Sequence, residues 1–338
     1  MRVILLGSPG YPGETLERWH DDAFEGAQQL GWDVSFLRAR DHETAQVVDA
    51  CRGADMLLWM RTHDYNIRGD DGRVMLRKVE DLGVTTVGLH FDLYWGVGHR
   101  QQRVGKEPWW SAQHVFTADG GDRPWGRVGV NHHWCPPPFG TRFLGYGIAR
   151  RELRRRAVFV GSNIPSIHQV NRGKLIRWAM RSYGPGFRHI GRHRGARVYG
   201  RDLNDVYASC DVVLGDSVYA PYYWSDRLPR TLGRGALFAY PNTPGLDEWG
   251  FTDDVMIRFD AGQFDQIAHA LAGITADRRR DMTDAAITLI RDRHLWRHRL
   301  EHIAEVALNG ASDYRGGRTS EEVGQLPRGS FAPGPGRR

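Results

Sequence analysis

The sequence predicts two successive α/β halves, each a doubly wound, Rossmann-like sheet, facing a central cleft. Three observations carry this. Short apolar runs alternate with amphipathic segments from the N-terminus, the βαβα rhythm of a mostly parallel sheet with helices on both faces. The rhythm restarts after an arginine-rich stretch around Arg150 to Arg156. At 338 residues the chain is long enough for two ordinary domains, each burying its own core.

Arg2 to Leu6 reads as a strand running into Gly7-Ser8-Pro9-Gly10-Tyr11-Pro12-Gly13, a loop placed either to face a ligand or simply to turn. Leu16, Trp19, Ala23, Ala27 and Leu30 then recur at helical spacing until Gly31 ends the run. Trp32 to Leu37 reads as the second strand, Glu43 to Arg52 as a helix and Met56 to Met60 as the third strand. Gly72 to Leu82 and Val84 to Leu89 follow as helix and strand. From Asp92 to Pro138 only Val115 to Thr117 stands out as a strand. Arg150, Arg151, Arg154, Arg155 and Arg156 crowd the boundary, as a solvated linker in the first reading and a nucleic-acid contact in the second.

The second half begins with the strand Ala157 to Val160 and the loop Gly161-Ser162-Asn163. Leu175 to Tyr183, Phe187 to Ile190, Leu203 to Ser209 and Asp211 to Leu214 alternate as helix and strand. The aromatic stretch after Asp216 ends at Ser225-Asp226, good N-cap residues for a short helix from Arg227 to Arg234, closed by Gly235. Ala236 to Tyr240 and Val255 to Phe259 are strands, Phe264 to Leu271 a helix, and two long helices cover Ala276 to Asp292 and Leu295 to Leu308. Domains are thus expected at 1–150 and 151–309, with a disordered basic tail over 310–338, where Gly, Pro, Ser and Arg lack periodicity.

Cys51, Cys135 and Cys210 are too few and too far apart for a disulfide framework and fit a reducing cytoplasm. No apolar run approaches a membrane span, and the opening MRVILLG leads into a Gly/Pro loop, unlike a signal peptide. The net charge of +6 suits anionic ligands without selecting one.

In an open α/β sheet, ligands bind beyond the carboxyl ends of the strands. Arg227 and Arg230, in the first turn of a helix that follows such a strand end, therefore predict a pocket for a phosphorylated ligand. Arg172 and Lys174 repeat that logic behind Gly161, which lets the backbone approach a ligand closely. His90 and Asp92 follow a strand of the first half, where a catalytic base would project, or else they bond within the sheet edge and cap a turn. Asp119 is a weaker candidate of the same kind. His294, His298 and His302 at i, i+4 and i+8 would share a helix face, but the third lies too far for joint zinc ligation. Adjacency makes His132, His133 and Cys135 awkward ligands, so no metal is expected. The sequence lacks a G-x-S-x-G elbow and a Cys/His signature, which leaves hydrolase chemistry without support.

From Ala157 to Val306 the chain resembles the CgeB-like, spore-coat glycosyltransferase-like family of the GT-B fold. The resemblance rests on AVFVGS with Asn171-Arg172, YGRDLNDVYASCDVVLGDS, SDRLPRTLGRGALFAYP, PGLDEWG and RHLWRHRLEHI. It implies transfer of a sugar from a nucleotide-diphosphate donor held by the second half, with the acceptor in the first. No further cofactor is implied, since the nucleotide sugar is itself the co-substrate. By position Gly161 and Ser162 would line the diphosphate and Arg227 would be its arginine. The base would lie near Val198 to Gly200, including Tyr199, and Ser225, Asp226, Arg230 and Thr231 would complete the donor site. The family usually places a ribose-binding glutamate where this chain has Arg230, which only donates hydrogen bonds. Either Asp226 or Glu248 holds the ribose, or Arg230 binds a phosphate, or donor binding is impaired. No Asp-x-Asp triplet is present to hold a divalent ion, so the expected cations are side chains. Three readings stay open beside a glycan or small-molecule acceptor: a modified DNA base or viral structural protein as acceptor, a non-catalytic nucleotide- or sugar-binding protein, and an epimerase-like enzyme.

Overall fold

The computed structural model describes residues 1–8, 18–61, 67–69, 71–121, 123–163, 170–191 and 198–310. The tail beyond Gly310 and most of the first Gly/Pro loop lie outside these residues.

The first half contains β1 (Arg2–Gly7), α1 (Trp19–Gln29), β2 (Asp33–Arg38), α2 (Thr44–Ala50), β3 (Met56–Met60), α3 (Gly72–Glu80), β4 (Thr85–His90), α4 (Gly98–Gln101), β5 (His114–Thr117) and β6 (His132–Trp134). The second contains β7 (Arg155–Val160), α5 (Val170–Tyr183), β8 (Phe187–Ile190), α6 (Gly200–Ala208), β9 (Cys210–Leu214), α7 (Arg227–Leu232), β10 (Phe238–Pro241), β11 (Ile257–Phe259), α8 (Asp265–Gly273), α9 (Ala276–Arg293) and α10 (Trp296–Asn309). Every strand pair among the described residues is parallel. The sheet orders are β2-β1-β3-β4-β5-β6 and β8-β7-β9-β10-β11, so both halves follow one winding pattern and reverse between their first and third strands. The near-continuous apolar runs of β1, β3 and β9 suit strands buried on both faces. β6 was invisible in sequence because His132, His133 and Trp134 form a three-residue, half-buried edge without apolar alternation.

The strand ends that matter point at each other. Leu93 and Ala118, just past β4 and β5, form one apolar cluster with Ala220 and Tyr223, just past β9. Beside it Trp134 packs edge-on against Tyr222, Trp224 and Trp249. Tyr222 is the one non-glycine with positive φ among the described residues (φ 54), a conformation costing about 1–2 kcal/mol. It is held by its N–H on the Pro244 carbonyl at 2.9 Å and its hydroxyl on Glu248 at 2.9 Å. Gly120 receives it, since a Cβ there would strike the Tyr222 side chain and backbone.

Two connections tie the halves together. Phe139 is buried in the second core although it precedes the expected boundary, and the chain then runs along α6, where Asn204 donates to the Phe143 and Gly145 carbonyls at 2.9 and 2.8 Å. The last helix, grouped by sequence with the second half, packs against α1 instead. Trp296, Leu300, Ile303 and Val306 join Val3, Leu5, Ala23 and Ala27 in one core. Gly26 permits this, because a Cβ there would sit 2.9 Å from Trp296 Cβ. No helix among the described residues is long and apolar enough to cross a membrane.

Candidate active site

The second half reverses its winding between β7 and β9, and the residues that follow those strands meet there. Gly161 ends β7 and Asp216 lies just past β9. Asp216, nearly buried, takes Arg172 Nε on both carboxylate oxygens (2.9 and 2.8 Å) and Arg227 Nη1 on one (3.1 Å). Arg227 Nε also donates to the Val160 carbonyl at 3.1 Å, and Arg172 Nη1 to the Ser162 carbonyl at 2.8 Å. Both guanidiniums lie over the Phe159 ring, at 5.8 Å for Arg172 and 5.3 Å for Arg227. Two cations thus share one carboxylate, leaving one positive charge in excess beside Gly161. Burial, then the charge of Arg227, lowers the Arg172 pKa. Gly161, at φ 138, is needed for space as well as conformation: a Cβ would lie 2.6 Å from Arg227 Nη2.

Asp216 is not among the residues the sequence marks for the site. Its signal was position, directly after an apolar strand and Gly215, but nothing local reveals that it clamps arginines from two helices. The remaining expected donor residues are more dispersed. Lys174 is exposed on α5, and Tyr199 precedes α6. Ser225 N–H donates to the Tyr240 hydroxyl at 3.1 Å. Asp226 makes no capping bond to α7; its carboxylate instead receives Arg230 at 3.0 Å, the geometry of an i, i+4 pair. α7 closes at Gly233, two residues before the expected Gly235. Thr231 is fully buried, and Glu248 accepts from Tyr222.

In the first half, His90 is almost buried at the end of β4, its Nδ1 2.7 Å from the Tyr94 hydroxyl and its Nε2 3.7 Å from Asp92. Asp92 is more open and also faces Arg100 at 3.1 Å. Asp119 is a loop anchor: its carboxylate accepts from the Tyr94 and Trp95 amides (2.9 and 2.8 Å) and the Thr117 hydroxyl (2.9 Å). Burial nevertheless pushes its pKa up to about 6. Tyr223 joins the two sides. Burial, then the negative charge of Asp92, raises its pKa well above the ordinary value, and Tyr223 in turn acts on Arg172.

The histidine groups have other employment. His294 lies between α9 and α10, so the expected shared helix face is not formed; its ring nitrogens meet the Trp249 carbonyl at 3.0 Å and Arg299 at 2.9 Å. His132 stacks on Trp125 and meets the Thr117 hydroxyl at 2.8 Å, His133 meets His114 at 3.0 Å, and Cys135 is buried. Among the described residues no three His, Cys, Asp or Glu side chains are grouped to hold a metal.

Two parallel-sheet domains with opposed strand ends and a cationic switch point define a GT-B architecture, and solved structures of that type agree. An α-glucosyltransferase in complex with UDP and a 13-mer DNA containing a HMU base aligns with TM-score 0.59 at 11% identity, covering 86% of this chain and 95% of that one. Sucrose-phosphate synthase from Thermosynechococcus elongatus aligns with TM-score 0.56 at 11% identity, over 92% of this chain and 100% of that one. HepE from Anabaena, in complex with UDP and glucose, aligns with TM-score 0.54 at 11% identity over the same shares, 92% and 100%. Residues 151–305 match the family model described as glycosyl transferase-like. No match to a curated protein sequence is found.

Proposed function

We propose that the protein is a hexosyltransferase-type enzyme that moves a sugar from a nucleotide-diphosphate donor to an acceptor hydroxyl, with guanidinium groups in place of a divalent ion. The observation that carries this is the convergence of Arg172 and Arg227 on Asp216 beside Gly161, at the strand ends where the second half reverses its winding. The family match over that half and the UDP in several structural relatives support the same reading. The finer kinship to CgeB-like enzymes rests on the second-half motifs, and a cytoplasmic location on the three buried free thiols.

In chemical terms, the bond from the anomeric carbon to the diphosphate oxygen breaks as the acceptor oxygen bonds to that carbon. Charge grows on the leaving phosphate, where the excess positive charge of the Arg172–Arg227 pair stabilises it. The acceptor proton passes to Asp92 if the reaction inverts, because Asp92 is the more open member of the His90–Asp92 pair. If it retains, the leaving phosphate takes the proton. The test is a thermal-shift titration with UDP-glucose and UDP. A donor at a hundredfold over Kd adds about 2.7 kcal/mol of stability, and Arg227→Ala should abolish the shift and cut turnover roughly a hundred- to a thousandfold. A shift that survives the substitution overturns the assignment.

The DNA-acceptor reading loses the support it drew from the boundary arginines. Arg154, Arg155 and Arg156 stand at the amino end of β7, opposite the carboxyl end that carries the site, and Arg150 is paired with Asp205 at 2.5 Å.

A further inference from the structure

The first sheet carries a polar row where the second carries its arginines. Leu6 pairs with Trp59 and Met60 with Leu89, so continuing the registers places Ser8, Arg61 and His90 side by side across the ends of β1, β3 and β4. Ile4, Leu6, Leu57 and Trp59 share one core, and in strand alternation Ser8 and Arg61 continue that same face. Arg61 N–H prolongs the ladder by donating to the Leu89 carbonyl at 2.9 Å.

Glu107 fixes the Arg61 guanidinium by accepting from Nε at 3.0 Å and Nη2 at 3.2 Å, and is itself held by Trp109 Nε1 at 2.8 Å. Nη1 is left over. Among the described residues Nη1 has no hydrogen-bond partner although it is buried, and the same is true of the Ser8 hydroxyl. A buried polar atom without a partner calls for one, and these two lie together at strand carboxyl ends, where open α/β sheets bind ligands. An arginine only donates and a serine hydroxyl can donate, so the guest that satisfies both is rich in acceptors: an oxyanion. The row also adjoins the candidate base, because the Tyr94 hydroxyl bonded to His90 feels the charges of both Asp92 and Arg61.

We propose that Ser8 and Arg61 hold a phosphate or carboxylate carried by the acceptor, presenting its hydroxyl to His90 and Asp92. The proposal rests on the transferase reading and names the acceptor class: an anionic hydroxyl compound.

The test keeps the donor site filled. With UDP saturating, inorganic phosphate is titrated against the full chain and followed by calorimetry and by the fluorescence of Trp109 and Trp110. Wild type should bind phosphate saturably. Arg61→Lys, which keeps a cation for Glu107 and loses Nη1, should weaken it roughly ten- to a hundredfold, with UDP affinity unchanged. Ser8→Ala should weaken it by less and serves if the arginine variant does not fold. No saturable binding, or equal binding in wild type and both variants, overturns the proposal. If UDP itself fails to bind, the donor reading falls, and the same comparison without UDP still decides the row. Competition by glucose 6-phosphate or by glucuronate tells a phosphate-bearing acceptor from a carboxylate-bearing one, and displacement by neither overturns the acceptor role.

Discussion

In the second half, the strand ends at the winding reversal carry one carboxylate clamped between two guanidiniums. At the same place in the first half stand a serine, an arginine paired with a glutamate, and a histidine. One topology therefore supports opposite arrangements. The second half keeps a surplus cation over a glycine cradle, whereas the first balances its charge and leaves donors without acceptors. The lesson is that winding order fixes where a ligand can sit, and the side chains that end the strands fix its charge and which substrate each half receives.

The two carboxylates should differ most. Asp216→Ala leaves Arg172 nearly buried without its partner and should cost about 3–5 kcal/mol, read from the urea midpoint. Glu107→Ala, in a more open pair, should cost distinctly less. Equal losses would mean that the two switch points are built alike. Next comes Gly161→Ala, expected to cost about 1–3 kcal/mol from its backbone conformation and to weaken UDP binding by displacing Arg227. Unchanged UDP affinity would remove Gly161 from the cradle.

Acid sharpens the contrast from the first half. Burial holds the His20 pKa down at about 4 and that of His298 also at about 4, while that of His302 falls to about 3. Below the ordinary histidine value near 6.5 the unfolded chain takes up protons that the folded one refuses, so stability falls as pH drops from about 6.5 toward 4. Asp119 works the other way. Its pKa is raised to about 6, so its contribution is complete below about 4 and is lost as pH rises through 6. His20→Gln should flatten the acid-side slope of unfolding free energy, and Asp119→Asn should steepen it. No change of slope in either variant would reject the assignment. Smallest of all, Arg230→Ala breaks a part-exposed i, i+4 pair and should alter stability by about 0.5 kcal/mol or less. A loss of donor affinity matching that of Arg227→Ala would instead place Arg230 on a phosphate.

By itself the sequence determined the order of the strands and helices outside 92–138, the restart of the alternation in a second half and the position of Gly161 and Arg227 at strand and helix ends. These follow from periodicities and stop signals spanning a few residues, which local sterics enforce wherever the segment lies. Tertiary structure alone decided the rest. Arg172 finds Asp216 across 44 positions and Arg227 finds Val160 across 67. The terminal helix leaves its own half because Gly26 opens room for Trp296. His294 is parted from His298 by the break between α9 and α10, and Ser8 and Arg61 become neighbours only when β1 pairs with β3. Such meetings depend on which apolar faces bury each other, and that choice is made by the whole core.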